Sequence, residues 1–119
     1  MTLIVNKRYG GFGLSDEAKE MYLDLKGIKY KISREDHIWG KEYVYKDSGE
    51  PINFHSIPRN DPDLILVVKK LKDKANNRWS KLELVDIPDS FEDNWEIIEY
   101  DGLETVVRKD YIIEKPHNQ

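Results

Sequence analysis

A single α+β domain is the fold this sequence predicts: two helices packed on a mixed, mostly antiparallel sheet that closes with a C-terminal β-hairpin. Three observations predict it. Two stretches repeat apolar residues at helical spacing between capping signals. Several short stretches concentrate β-branched and aromatic residues. Finally, Asp101-Gly102 stands between two such stretches as a type I′ turn signal. The 119 residues leave room for one core, taken as residues 1–114, with 115–119 as a flexible tail.

Thr2–Asn6 (TLIVN) reads as the first strand, and the Tyr9-Gly10-Gly11-Phe12-Gly13 loop follows it. Ser15 is a good N-cap, with Asp16 and Glu17 at the positive end of the helix dipole. Ala18, Met21, Tyr22 and Leu25 make one apolar stripe, and Gly27 ends the helix. Ile28, Tyr30 and Ile32 alternate with Lys29 and Lys31, the period of a half-buried strand. Tyr43–Tyr45 is a further short strand, and Asp47-Ser48-Gly49 is a turn signal. Pro51 takes the chain out of the sheet. Residues 33–60 hold either a hairpin or a long loop with Trp39 and Phe54 tucked against the core.

Asp61 caps the second helix and Pro62 takes its first position. Leu64, Val67, Val68, Leu71 and Ala75 form its buried stripe, and Asn76-Asn77 supplies a left-handed stop. Leu82–Ile87 reads as a strand ended by Pro88. Trp95–Val107 folds back on itself at Asp101-Gly102, which sets Tyr100 opposite Leu103, Glu99 opposite Glu104 and Trp95 opposite Arg108. Whether both faces of that hairpin are buried within one chain is open at this level; an exposed apolar face would serve for assembly into a homo-oligomer.

Composition excludes several kinds of chemistry. With no cysteine there is no disulfide scaffold, thiol nucleophile or Cys-ligated metal. The longest apolar run, Leu64 to Val68, is far short of the ~20 residues of a membrane span. Met1–Val5 is too short for a signal-peptide core, so a reducing, cytoplasmic setting is expected. Mean hydropathy is −0.73, yet the apolar residues are periodic, as in a folded chain. The net charge of −4 is an average over unlike regions. Residues 1–82 carry 16 bases and 12 acids, whereas 83–104 carry nine acids and no base. That acidic block is either a solvated surface or a partner-facing one.

Four constellations can carry chemistry. First, the glycine loop lies between a strand and a helix opening at Ser15, where backbone N–H groups meet an anion well. Lys7, Arg8, Tyr9, Gly10, Gly11, Gly13, Ser15 and Arg108 are the candidate ligand-binding residues there. The loop has neither dinucleotide-fingerprint nor Walker spacing, and a tight connection with inward-packed aromatics is the plain structural alternative. Second, Glu99 facing Glu104 puts like charges opposite one another, which an exposed site, a cation or a basic partner tolerates. Glu96, Glu99, Asp101 and Glu104 are accordingly the candidate partner-binding residues. Third, His37, His55 and His117 lack metal-ligand spacing, so no metal or cofactor is expected. Fourth, Lys69–Lys81 with Arg78 and Trp79 has the residues of a nucleic-acid face, but a pI near 5.4 argues against general nucleic-acid binding.

The opening Asn6-Lys7-Arg8-Tyr9-Gly10-Gly11-Phe12-Gly13-Leu14-Ser15-Asp16-Glu17-Ala18 resembles the start of a group of small bacteriophage-encoded accessory proteins. Arg59-Asn60-Asp61-Pro62, Leu82–Asp89 and Trp95–Glu104 resemble the later landmarks of the same group. Residues 33–58 are not covered, and Asp110-Tyr111-Ile112-Ile113 replaces the group's His-Arg-Thr-Trp ending. The resemblance implies a viral accessory protein in the cytoplasm of an infected bacterium. Such a protein modulates or inhibits a host factor, such as a defence factor, by binding a host protein or sequestering a nucleotide signal. The expectation is thus a non-enzymatic binding protein acting through a protein- or ligand-binding surface. The alternatives are a small-ligand binder for a phosphorylated or cyclic nucleotide and a small hydrolase, although no nucleophile–base pair stands out.

Overall fold

The first strand, β1 (Thr2–Asn6), has no solvated face: Leu3, Ile4, Val5 and Asn6 are all fully buried. Strand alternation sends these side chains into two different cores. Ile4 meets the helical layer with Phe12, Leu14, Leu64, Val67 and Leu82. Leu3 and Val5 pack with Ile87, Trp95, Ile97 and Val106 on the other side. The computed structural model describes residues 1–35, 38 and 40–109. His37, Trp39, Asp110–Ile113, His117 and the proposed tail from Lys115 lie outside the described residues.

Helix α1 (Asp16–Lys26) begins where Ser15 Oγ accepts the Ala18 N–H at 3.1 Å and ends at Gly27 in the left-handed region. It buries Ala18, Tyr22 and Leu23, whereas Leu25 of the predicted stripe stays exposed in the last turn. Strands β2 (Tyr30–Arg34) and β3 (Glu42–Tyr45) pair antiparallel with a bulge near Arg34, so the uncertain stretch begins with a hairpin. Pro51 makes a single bridge to Val44 as the chain leaves.

Helix α2 (Pro62–Leu71) starts on Asp61, whose carboxylate accepts the N–H groups of Asp63 and Leu64. Its α-helical part stops earlier than the sequence predicts. Lys72 takes φ 53°, and a 3₁₀ turn, Lys72–Ala75, brings the Ala75 carbonyl to the Ser15 N–H at 2.9 Å. The two helices are joined polar to polar at their ends. Lys26 Nζ lies 3.0 Å from both Asp61 and Asp63, and Tyr22 Oη donates to Asp61 at 3.0 Å.

Strand β4 (Leu82–Asp86) pairs antiparallel with β1, and β5 (Trp95–Tyr100) with β6 (Leu103–Arg108) in the predicted register. The turn residues Asp101 (φ 49°) and Gly102 (φ 91°) both have positive φ, as a type I′ turn requires. The α+β class, both helices and the C-terminal hairpin are therefore present. The described strands form three two-stranded antiparallel sheets, and not one mixed sheet. The reason is that, beyond β4, the free edge of β1 is taken by Arg59 and by the Glu104 side chain. The layers run helices, β1–β4 pair, β5–β6 ribbon. No described helix is long and apolar enough to cross a membrane.

Candidate functional site

The glycine loop after β1 folds onto the tip of the β5–β6 hairpin. Gly10 N–H donates to the Asp101 carbonyl at 2.9 Å, and Asn6 Nδ2 donates to the carbonyls of Gly102 and Arg8 at 2.7 Å each. The approach is so close that a Cβ on Gly102 would come within 2.1 Å of the Gly11 nitrogen. These glycines thus permit backbone-to-backbone contact between loop and turn, and the Gly10 N–H is spent on protein instead of an anion.

Arg59 and Glu104 lie beneath the loop. Glu104 is only 5% exposed and takes both ends of the Arg59 fork, with Nη2–Oε2 at 2.8 Å and Nη1 on Oε1. Oε1 also accepts the Asn6 N–H at 2.8 Å. Arg59 Nη1 reaches the Ile4 carbonyl at 3.3 Å, and its guanidinium stacks on the Phe12 ring, 3.8 Å from the centroid. This unit rivets β1, the approach to α2 and the hairpin together. Exposed pairs contribute little, but a buried, bidentate pair is costly to break.

The like-charge pair of the hairpin is thereby explained. Glu104 is neutralised by Arg59 from inside the protein, and Glu99 Oε1 accepts the Gly102 N–H at 2.6 Å. Each acid has its own donor, so their juxtaposition needs no external cation. Of the four candidate partner-binding residues, Glu96, Glu99 and Asp101 are exposed and Glu104 is buried. Glu96 and Glu99 fall on opposite faces of the ribbon by strand alternation. The four therefore do not compose one surface, and Glu104 is a structural residue.

The candidate ligand-binding residues also divide. Gly10, Gly11 and Gly13 line a cleft of about 920 Å³ between the two β-hairpins. Lys7 donates to the Glu104 carbonyl at 3.1 Å and Arg8 to the Arg78 carbonyl at 3.2 Å, so both support loop geometry. Tyr9 is exposed, and Ser15 is committed as N-cap while donating to the Lys74 carbonyl at 2.6 Å. Arg108 stands opposite Trp95, against the Phe91 ring. That is the far end of the ribbon from Gly102, about 20 Å away at strand rise.

Sequence reasoning missed most of the cleft. One wall is β5, through Ile97 and Glu99, and another is the β3 region with Tyr43, Val44, Ile52 and Phe54. Its floor contains Phe12, Leu14, Arg59 and Glu104, with Asn77 and Trp79 beside the glycine loop. Tyr43 is held by edge contacts to Tyr30 and Phe54, at 5.4 and 5.9 Å, and donates to Glu20 at 2.6 Å. Burial, then that hydrogen bond, pushes its hydroxyl well above the ordinary tyrosine range. Lys19 Nζ donates to the Lys41 carbonyl at 3.2 Å and sits over the Tyr43 and Phe54 rings. Burial lowers its pKa more than nearby Asp16 and Glu42 raise it. The Ser33 and Tyr43 hydroxyls donate to Glu42 and Glu20, so both are engaged within the protein. Among the described residues no group of three or more histidine and acidic side chains converges as a metal site would.

No family model, curated protein or solved structure matches the chain.

Proposed function

We propose that this chain is a bacteriophage-encoded, non-enzymatic binding protein that modulates a host factor in the bacterial cytoplasm by holding a small ligand in the cleft between its hairpins. The observation that carries the reading is the cleft itself. At about 920 Å³ it has the size of a small-molecule site, and aromatic and aliphatic side chains share its lining with charged and polar ones. The bidentate Arg59–Glu104 pair and the Gly10–Asp101 hydrogen bond hold two of its boundaries in place, which lowers the ordering cost of binding. The phage setting rests on the sequence resemblance alone. Mass spectrometry of the denatured, freshly purified protein tests the reading: a stoichiometric small molecule supports it. Its absence, with no cleft residue responding to a metabolite panel, refutes it.

A second reading keeps a host protein as partner, through the outer face of the β5–β6 ribbon. Tyr100 is 70% and Ile98 43% exposed there, flanked by exposed Glu96. Pull-down from host lysate with Glu96→Lys/Tyr100→Ala separates the two: loss of a captured protein favours the ribbon, and unchanged capture excludes it.

A further inference from the structure

The composition of the cleft specifies the ligand more closely than its size does, and this step rests on the cleft being the binding site. Three cations line it, Lys19, Lys41 and Arg59, and three acids, Glu42, Glu99 and Glu104. The positive groups are already engaged. Arg59 is forked onto Glu104, while Lys19 is bonded to the Lys41 carbonyl and lies 4.0 Å from Asp16. A phosphate group brings nearly two negative charges and needs surplus donors. Here it would meet balanced charge, with the Glu99 carboxylate at the rim.

The aromatic content points the other way. Phe54 and Trp79 line the cleft half-buried, whereas Phe12 and Tyr43 are buried behind them, with Arg59 stacked on the first and Lys19 over the second. A half-buried ring such as that of Trp79 receives a flat π-system by stacking, a contact that tolerates any base. The exposed Glu99 carboxylate is an acceptor for an amino-bearing ring edge, as carboxylates are for base amino groups.

We infer that the cleft takes a planar, uncharged heteroaromatic ligand of nucleoside class, recognised through its base, and that it disfavours polyphosphates. Lys7, Arg8 and Arg108, which would have served phosphates, lie outside the cleft lining. The ligand chemistry is therefore the base, without the anion.

The test is calorimetry on the full chain with adenosine and guanosine, their 5′-monophosphates and their 5′-triphosphates, at low salt. Backbone amide shifts are recorded in each arm. At least one nucleoside is expected to bind about tenfold or more tighter than its triphosphate, because the phosphates would lose water without gaining surplus donors. Glu99→Gln, whose amide oxygen still accepts the Gly102 N–H, is expected to improve triphosphate binding by about threefold, since it removes one facing charge. Trp79→Ala is expected to weaken the nucleoside about tenfold and Trp79→Phe far less, as loss of stacking requires. Triphosphates binding more tightly than nucleosides at cleft amides overturns the ligand class while keeping the cleft as a binding site. If no arm produces heat or cleft shifts, but a ligand of other chemistry co-purifies in the cleft, the ligand class is again the part that fails. Silence in every arm with no co-purified molecule overturns both.

Discussion

Replacing Glu104 by Gln is the most informative single perturbation of the fold that carries the cleft. The side chain keeps its shape but loses the charge that balances Arg59, and its amide oxygen can satisfy only part of a set of three donors. Removing one partner of a buried ion pair costs about 3–5 kcal/mol. Arg59 is 18% exposed and retains the Ile4 carbonyl and the Phe12 face, which places the expectation at the lower end, ~3 kcal/mol. With an unfolding entropy near ~0.25 kcal/mol/K for a chain of this length, that corresponds to a Tm lower by about 12 °C. Urea unfolding followed by tryptophan fluorescence measures it, with Glu96→Gln as an exposed control expected within about 0.5 kcal/mol of the parent. The apolar double variant Arg59→Met/Glu104→Leu is expected to recover most of the loss, since it leaves no buried charge unpaired. A Glu104→Gln protein within about 1 kcal/mol of that control would refute the rivet, because a buried pair cannot be broken so cheaply.

Further predictions concern the loop and the two titrating clusters. Gly102→Ala is expected to cost more stability than Gly11→Ala in the same urea assay, the latter about 1 kcal/mol. Both positions have positive φ, but only the Gly102 Cβ would strike backbone, at 2.1 Å, whereas Gly11 faces open space. At Asp61, burial raises the carboxyl pKa, but Lys26 and the Leu64 and Asp63 N–H groups outweigh it, so the folded value is lowered. Its contribution is present above the ordinary carboxylate pKa and is lost as pH falls through the lower folded value. Asp61→Asn, which can still cap the helix, is expected to flatten the acid limb of a stability–pH profile. On the alkaline side, burial and the Asp61 hydrogen bond push Tyr22 up to about 12. The stability it contributes is therefore present below the ordinary tyrosine pKa and lost as pH rises through about 12. Absorbance at tyrosinate wavelengths is expected to show a late component from Tyr22 and Tyr43, coincident with alkaline unfolding.

Features set by neighbours in the chain were legible in the sequence. Ser15, Gly27, Asp61 and Pro62 bound their helices because capping needs only the next few residues. Asp101-Gly102 fixed the hairpin register because turn type fixes strand offset. What remained hidden depends on distant partners. Nothing local tells β1 to pair with β4 or leave its other edge to Arg59 and Glu104. The α-helix gives out at Lys72 because the following turn docks on Ser15, fifty-seven positions earlier in the chain. Glu104 showed a clue, since an acid facing an acid is relieved by exposure or by a counter-charge, but the guanidinium that answers it is 45 residues away. The glycine loop stands out in the sequence as an anion site, whereas in the structure its glycines serve contact with the hairpin tip and border the cleft. The aromatic walls were not found, because Tyr43 and Phe54 come from the stretch whose structure the sequence left open.

Amide chemical-shift mapping, while the co-purified or best-bound small molecule is titrated, decides whether the cleft between the hairpins is where this protein binds its ligand. The shifts are expected to concentrate at Gly10–Gly13, Tyr43, Val44, Ile97, Glu99 and Trp79. Shifts confined to the outer face of the ribbon at Ile98 and Tyr100, with the cleft amides unmoved, would contradict binding in the cleft.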